Sequence, residues 1–189
     1  MILFKKIKYY LFVKARILKY KLLSDKKPIG SKPRLISPVL FSGEGEIVLG
    51  TNVQFGYAQS AHYYSHYSYV EARTKASKIK IGNNVVINNN CNIVSMTQIE
   101  IQDNCTIGIN FSIIDSDFHH LEPHKRNDIN PPSKPVKIGK NVFIGNDVTI
   151  LKGVIIGNNA VIGNGSIVSS SVAENTVVVG NPARAIKTL

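Results

Sequence analysis

The sequence has little cysteine and no long apolar run, and both shortages narrow its class. Its 189 residues include only two cysteines, Cys91 and Cys105, so neither a disulfide framework nor an oxidising compartment is indicated. No stretch reaches the roughly 18 consecutive apolar residues that suggest a membrane-spanning helix. The lysines near the start are followed by only five apolar residues before Lys14, too few for a secretory signal. We expect a cytoplasmic protein, with contact at the inner face of the membrane as an open alternative.

Acidic residues are also scarce, and the excess of positive charge is concentrated at one end. The chain has 23 Lys and Arg against 12 Asp and Glu, which gives a formal net charge of +11. Residues 1–27 hold nine basic residues and one acidic residue, Asp25, whereas the remainder is close to neutral. This distribution indicates a basic arm on a near-neutral body. Since no nucleic-acid recognition motif accompanies it, we expect no nucleic-acid partner.

Several catalytic and binding motifs are missing as well. The sequence has no Gly-x-Ser-x-Gly elbow and no cysteine beside a histidine, so a covalent nucleophile is not indicated. It also has no phosphate-binding loop of the G-x-x-x-x-G-K-[ST] type. A one-step transfer, in which a general base activates the acceptor, needs none of these motifs.

A six-residue period is what the sequence does contain. Residues 138–173 divide into IGKNVF, IGNDVT, ILKGVI, IGNNAV, IGNGSI and VSSSVA, each of which opens with Ile or Val. A period of six fits neither an α-helix nor a heptad, and it predicts a parallel β-helix in which each six is one short strand and one turn. The fifth, small residue of each six should fill a corner of the core. Cys91 and Cys105 occupy that fifth place, so we expect both to be buried core residues.

The period is interrupted twice along the chain. The sixes start at Leu49, and two residues, Ile99 and Glu100, then break the phase. Residues 119–137 contain no six at all. An excursion of 19 residues from a regular stack is either functional or disordered, and its reactive beginning favours function.

These patterns predict an all-β protein with three parts. A basic amphipathic helix occupies residues 1–27, a linker into the first coil occupies residues 28–48, and the β-helix domain occupies residues 49–187. We expect the last strand at residues 176–179 and the basic tail, residues 184–187, across the open end of the stack.

The predicted N-terminal helix has an apolar stripe bordered by lysines, for which two interpretations stay open. The stripe packs on the end of the β-helix or on a neighbouring subunit, or it lies on an anionic membrane surface. Its residues recur at spacings of three and four: Phe4, Ile7, Leu11, Ala15, Leu18 and Leu22.

The most reactive side chains gather where the sixes stop, in the segment DSDFHH at residues 115–120. A histidine is a suitable general base near neutral pH, and a nearby aspartate can fix its tautomer. We therefore expect His119 to be the base and Asp117 its partner, provided that the backbone bends enough for them to meet. A metal site that also uses His120 and His124 is a rival interpretation. We expect no metal, because adjacent histidines in extended chain rarely point at one ion.

Three features together resemble the hexapeptide-repeat acyltransferases. They are the sixes, the DSDFHH segment that opens the loop, and the terminal GNPARAIK. The resemblance is to acetyl-CoA-dependent sugar O-acetyltransferases related to galactoside, maltose and capsular enzymes, and it spans about Leu49 to Lys187. It implies a left-handed parallel β-helix, an exception to the usual right-handed crossover, and a homotrimer with active sites between neighbouring subunits. It also implies acetyl transfer from acetyl-CoA to a sugar hydroxyl of a surface glycan or its precursor.

The resemblance also implies roles for particular residues. His119 matches the catalytic histidine that deprotonates the acceptor, and Asn90 matches an acceptor-binding asparagine, although Asn88 and Asn89 flank it. We expect further substrate contacts from Asp115, His120 and His124. The residues that match the acetyl-CoA site are Phe143, Gly145, Asn146, Gly163, Asn164, Arg184 and Lys187.

The N-terminal part departs from the resemblance, and other functions stay open. A lysine-rich helix stands where galactoside-type enzymes have a helical acceptor module, which favours a glycan carried on a lipid over a free disaccharide. N-acetylation of an amino sugar or its nucleotide-linked form needs the same general base. Outside acetyl transfer, the alternatives are a non-catalytic β-helix scaffold with a membrane tether, and bicarbonate or metal chemistry on the same fold.

Overall fold

A computed structural model describes residues 2–189 and shows a parallel β-helix, as the sixes predicted, with the left hand that the resemblance implied. Successive short strands visit three sheets in turn, so the sheets form the three faces of a prism. Sheet A contains β1 (Ile29–Gly30), β4 (Glu46–Leu49), β7 (Lys78–Ile81), β10 (Gln98–Ile101), β13 (Val136–Ile138) and β16 (Ile155–Ile156).

The other two faces follow the same rule. Sheet B contains β2 (Arg34–Leu35), β5 (Gln54–Phe55), β8 (Val86–Ile87), β11 (Thr106–Ile107), β14 (Phe143–Ile144), β17 (Val161–Ile162), β19 (Thr176–Gly180) and β20 (Ala183–Thr188). Sheet C contains β3 (Val39–Ser42), β6 (Ser68–Ala72), β9 (Asn92–Ser95), β12 (Ser112–Ile114), β15 (Thr149–Ile150) and β18 (Ile167–Val168).

The core is a column of aliphatic side chains inside the prism. On sheet A, for example, Ile81, Ile101 and Ile138 stand in register on successive strands, and each is fully buried. Cys91 and Cys105 are buried free thiols, as their place in the sixes predicted. Burial raises the pKa of Cys91 to about 12 and that of Cys105 to about 11.

Asparagine columns hold the corners between coils. Asn84 and Asn104 have φ values of 55° and 62°, a left-handed conformation that Asn adopts more readily than most residues. The Nδ2 of Asn84 donates to Oδ1 of Asn104 at 3.1 Å, so each turn is hydrogen-bonded to the next. The asparagines of the sixes are therefore turn residues that also link adjacent coils.

Both interruptions of the period have the predicted size. Hydrogen-bonded partners on adjacent coils are 18 residues apart near the C-terminal end, as for Lys140 and Asn158. The step is 20 residues around the phase break and 37 residues across the loop. The step of 37 exceeds a regular coil of 18 by the 19 residues of the loop, so the loop leaves the coil without disturbing the stack.

The predicted linker is wrong, because residues 28–48 already belong to the β-helix. Strands β1, β2 and β3 lie here and pair with the next coil. Pro28, Pro33 and Pro38 each directly precede one of these strands. Proline fits the start of a strand, where its missing N–H costs no ladder bond. These prolines therefore stand at corners of the prism.

The C-terminal tail also differs from its prediction. β19 runs parallel to β17 as expected, but β20 turns back and pairs antiparallel with β19. The tail thus adds an edge strand to sheet B and does not cross the open end. A paired partner satisfies the backbone groups of β19, which would otherwise form an exposed edge.

The N-terminal helix is present, but it packs by the face opposite to the predicted stripe. It comprises α1 (Ile2–Tyr9), a π-helical turn (Tyr10–Lys14) and α2 (Ala15–Leu23), while Met1 lies outside the described residues. Val13 is fully buried and Arg16 and Tyr20 are half-buried, whereas Leu11 and Leu18 are exposed. Among the helices of residues 2–189, none has both the length and the apolarity that crossing a bilayer requires.

Candidate active site

A narrow neck closes the base of the loop. After β12, the N–H of Asp117 donates to the carbonyl oxygen of Pro132 at 3.1 Å, and the N–H of Lys134 donates to that of Asp115 at 2.8 Å. The Ser133 hydroxyl bonds to that of Ser116 at 2.9 Å between these two links. The loop therefore leaves and re-enters the coil at one fixed point, and the reactive segment lies on that point.

Asp115 is a structural residue at this neck, which corrects the expectation that it contacts substrate. Its side chain is fully buried, and its carboxylate accepts four hydrogen bonds from the preceding coil. The donors are the Ser95 hydroxyl at 2.7 Å, the Met96 N–H at 2.7 Å, and the N–H and hydroxyl of Thr97 at 2.8 and 2.9 Å. These bonds occupy the carboxylate, so Asp115 fixes the corner where the phase break occurs.

Asp117 pairs with a lysine and not with the histidine expected. Lys152 Nζ lies 2.6 Å from both carboxylate oxygens of Asp117, and both side chains are mostly buried. Lys152 comes from the next coil, 35 residues along the chain. The pair ties the neck to the coil that follows. The sequence interpretation, in which Asp117 fixes the tautomer of His119, is therefore wrong.

His119 is oriented by the loop itself. Its Nδ1 lies 2.9 Å from the carbonyl oxygen of Arg126, seven residues further on. A carbonyl oxygen only accepts hydrogen bonds, so Nδ1 carries a proton, and in the neutral imidazole Nε2 is the nitrogen with the lone pair. The preceding residue, Phe118, has a φ of 59°, and its ring lies 4.6 Å from the guanidinium carbon of Arg73. This unusual backbone conformation turns His119 out of the strand direction and into solvent.

The other two loop histidines lie close to His119 in sequence but in different settings. His120 is half-buried, and His124 is exposed within a single 3₁₀ turn, Pro123–Lys125. In the described part of the chain, no three His, Cys, Asp or Glu side chains are arranged to hold a metal ion.

Asn90 occupies a left-handed turn, with φ of 61°. Its Nδ2 donates to Oδ1 of Asn110 at 2.8 Å, and Asn110 donates onward to Asp147 at 2.7 Å. Its neighbour Asn89 is buried and holds the Tyr57–Ala61 segment through three hydrogen bonds. Asn90 is therefore first a turn residue, and the acceptor contact stays a prediction.

The residues expected at the acetyl-CoA site lie mainly at the corner between sheets B and C. Phe143 projects from the outer face of sheet B and is 51% exposed. Oδ1 of Asn164 accepts from the N–H of Asn146 at 2.8 Å, and a Cβ added to Gly145 would lie only 2.2 Å from the same oxygen. Glycine is thus required at 145 by close packing. Gly163 follows β17 at the same corner.

Arg184 and Lys187 lie on β20, and both are exposed. β20 is the edge strand of sheet B, and β19 separates it from β17, the strand that leads to Asn164. Arg184 pairs with Val179, near the end of β19 on the side of this corner, whereas Lys187 pairs with Val177, nearer the start of β19. Both exposed cations are available to a phosphate group along this edge.

The candidate residues thus form two groups on one chain. His119 and the loop neck lie where sheet C leads into sheet A, whereas the residues expected to bind acetyl-CoA lie where sheet B leads into sheet C. Sheet C separates the two corners. Sequence reasoning missed Lys152 and Arg126, because neither is adjacent to His119 in sequence. Only the coil register, which places Lys152 beside the loop, could have indicated one of them.

Comparison with known proteins supports the class of enzyme. A family model described as "Bacterial transferase hexapeptide (six repeats)" matches residues 135–170. A galactoside acetyltransferase in complex with coenzyme A is 27% identical, with 93% of this chain and 81% of that chain covered and a TM-score of 0.59. A maltose O-acetyltransferase from Clostridium difficile 630 is 24% identical, with coverages of 94% and 86% and a TM-score of 0.57. The polySia-specific acetyltransferase NeuO is 27% identical, with coverages of 84% and 73% and a TM-score of 0.56.

The repeats, the left-handed coil and these matches define a class of protein. The matched family model and the two acetyltransferase neighbours of 27% identity agree with the resemblance to the hexapeptide-repeat acyltransferases, and they support an acyltransferase. Within the class, the reported neighbours are sugar or glycan acetyltransferases by their own descriptions.

Proposed function

We propose that this acyltransferase moves an acetyl group from acetyl-CoA to a sugar hydroxyl of a surface glycan or its precursor, with His119 as the general base. The observation that carries the proposal is the bond between His119 Nδ1 and the Arg126 carbonyl oxygen, 2.9 Å long. It fixes the tautomer that a base needs, with the lone pair on the outward nitrogen. An exposed histidine so held can accept a proton from a bound hydroxyl.

The reaction requires no covalent enzyme intermediate. Nε2 of His119 takes the proton of the acceptor hydroxyl while the oxygen attacks the carbonyl carbon of the thioester. The tetrahedral intermediate then collapses, the carbon–sulfur bond breaks, and the imidazolium returns its proton to the departing thiolate. The products are an acetyl ester and coenzyme A.

The acetyl-CoA site is assigned to the corner between sheets B and C. Exposed Phe143 offers an apolar surface to the pantetheine arm, and Arg184 and Lys187 offer cations to the phosphates. A neighbour of similar fold carries coenzyme A in its structure, which supports this donor. Backbone groups at Gly145, Asn146, Gly163 and Asn164 would complete the site. His120, His124 and Asn90 are proposed to contact the acceptor.

The proposed reaction is tested by thiol release from acetyl-CoA with a panel of sugar acceptors. His119→Ala should lower kcat by about 10²- to 10⁴-fold, because a general base is removed. Acetyl-CoA affinity, measured by calorimetry, should stay within about twofold, since His119 acts on the acceptor hydroxyl and is not among the residues proposed to hold acetyl-CoA. His66→Ala is the matched control, because it removes another exposed imidazole and leaves the His66 backbone carbonyl in place.

The other functions considered are outcomes of the same assay. Thiol release with amino sugars alone would replace O-acetylation by N-acetylation. Full activity in His119→Ala would overturn the role of His119. Failure of the wild-type chain to bind acetyl-CoA at millimolar concentration would overturn acetyl transfer and favour a scaffold.

A further inference from the structure

The N-terminal helix turns its apolar stripe away from the protein. Phe4 is 72% exposed, Leu11 61%, Leu18 55% and Leu22 76%. They are spread along a helical segment about 33 Å long, with Phe4 before the π-helical turn and Leu18 and Leu22 after it. Large apolar side chains exposed along the whole of a surface helix mark an interaction site.

Specific anchors on the opposite side hold the helix in this orientation. Arg16 Nη1 donates to the carbonyl oxygen of Tyr63 at 3.0 Å, and its Nη2 donates to that of His66. The ring of Tyr20 stacks on Tyr67 with centroids 4.3 Å apart. The outward stripe is therefore a consequence of how the helix is attached.

The end of the helix is fixed as well. The Ser24 hydroxyl donates to the carbonyl oxygen of Tyr20 at 2.8 Å and accepts from the N–H of Phe41 on β3 at 3.0 Å. A helix anchored by the face that carries Val13, Arg16 and Tyr20 and by its C-terminal end cannot roll to bury the stripe without breaking these bonds.

The lysines on the helix indicate what kind of partner the stripe contacts. Residues 2–23 contain no Asp or Glu, and five of their lysines are exposed: Lys6, Lys8, Lys14, Lys19 and Lys21. Two copies that met stripe to stripe would place these lysines against each other, which is unfavourable. An apolar strip bordered by cations instead complements an anionic lipid surface.

We propose that residues 2–23 bind flat on a bilayer that contains anionic phospholipid, with the stripe inserted among the acyl chains and the lysines at the headgroups. The β-helix is then held at the membrane surface. This binding is independent of acetyl transfer, although it would bring the enzyme to an acceptor carried on a lipid.

Sedimentation of the full chain with vesicles tests the proposal. The wild-type protein should sediment with vesicles of phosphatidylcholine containing about 30% phosphatidylglycerol, and bind pure phosphatidylcholine at least about tenfold more weakly. Leu11→Glu/Leu18→Glu and Lys14→Glu/Lys21→Glu should each lose at least about tenfold in binding to the anionic vesicles. Both pairs are exposed, so soluble, folded variants are expected, as circular dichroism would check.

A matched charge reversal outside the helix tests whether vesicle binding depends on the lysines of the helix or only on the net positive charge of the protein. Lys32→Glu/Lys75→Glu makes the same change of charge at exposed positions outside the helix and should leave vesicle binding within about twofold. Equal loss in this control would overturn the proposal, as would failure of the wild-type chain to sediment with anionic vesicles at low salt. Self-association that Leu11→Glu/Leu18→Glu abolishes, without vesicle binding, would assign the stripe to a second copy.

Fluorescence shows which face enters the bilayer, since the chain has no tryptophan of its own. Leu11→Trp should shift its emission to the blue when anionic vesicles are added. Ile155→Trp, at a similarly exposed position on sheet A, should not shift. A shift in both variants, or in neither, would contradict the proposed orientation.

Discussion

The tautomer of His119 is set by a backbone carbonyl seven residues further along the chain, not by the carboxylate two residues before it. A carbonyl can fix the tautomer because its oxygen accepts a hydrogen bond from Nδ1–H, as a carboxylate oxygen would. It does not, however, place a negative charge beside the imidazolium that forms during transfer. Asp117 instead forms an ion pair with Lys152 at the neck of the loop.

The two cysteines make a prediction at the scale of single residues. Burial raises the pKa of both thiols, to about 12 and about 11, so neither is a thiolate in the folded protein at pH 8. Neither should react with a thiol reagent until the protein is unfolded by denaturant. Ser170→Cys, an exposed position, should react at once and serves as the positive control. Rapid reaction of the native wild-type thiols would contradict their burial.

The same pKa shifts give stability a direction with pH. The unfolded thiols ionise near pH 9, whereas the folded thiols hold their protons to about pH 11 or 12. The folded state therefore binds more protons in this interval, and the free energy of unfolding falls as pH rises through it. Cys91→Ala/Cys105→Ala should weaken this alkaline dependence, as denaturant unfolding between pH 8 and pH 11 would measure.

Burial of these thiols could be read from the sequence, because the six-residue period assigns each place an inward or outward direction. The partner of His119 could not. Its bond depends on the path of the loop, and no period governs residues 119–137. Adjacency in sequence suggested Asp117, but the backbone at Phe118 directs the two side chains apart.

At the scale of elements, the loop begins at a corner of the coil held by Asp115. In the sequence, this corner is visible only as the two-residue interruption of the six-residue period. Asp115 fills this corner and accepts four hydrogen bonds from residues 95–97. Removal of a buried carboxylate leaves its donors without partners, which is among the costly classes of substitution.

Asp115→Ala should therefore lower the free energy of unfolding by about 3–5 kcal/mol. For a chain of this size, that corresponds to a Tm lower by about 10 °C. Asp128→Ala removes an exposed aspartate from the same loop and should change stability by less than about 0.5 kcal/mol. A thermal melt measures both. Equal Tm values for the two variants would contradict the role of Asp115 in holding this corner of the coil.

The first coil shows why one element was missed in the sequence. A stretch rich in Pro, Gly and Lys is typical of a linker, although Ile29, Leu35, Phe41 and Ile47 do recur every six residues. Its prolines nevertheless recur every five residues, at Pro28, Pro33 and Pro38, immediately before strands. The apolar repeat here is short and the prolines follow a different interval, so the composition suggested a linker where the structure has a coil.

At the scale of the whole molecule, the base and the proposed acetyl-CoA site occupy different corners of the prism. Face C lies between them within one chain. Side-by-side association would bring the loop of one chain to the donor corner of the next. We therefore propose that the active enzyme is a homotrimer, with each site built from two subunits. A closed ring of three heterologous contacts satisfies this arrangement for every subunit.

Mixed oligomers test the shared site. His119→Ala lacks the base, and Arg184→Glu/Lys187→Glu lacks the proposed phosphate contacts, so each should be nearly inactive at low acetyl-CoA concentration. If the two variants are unfolded together in equal amounts and refolded, a site built from two subunits is intact whenever an intact base faces an intact donor corner. Random assembly then predicts recovery to about a quarter of wild-type activity. A site contained within one chain predicts no recovery, because every chain in the mixture carries one defect.

The two variants refolded separately and then combined are the control. Light scattering should give three times the chain mass of 20.8 kDa.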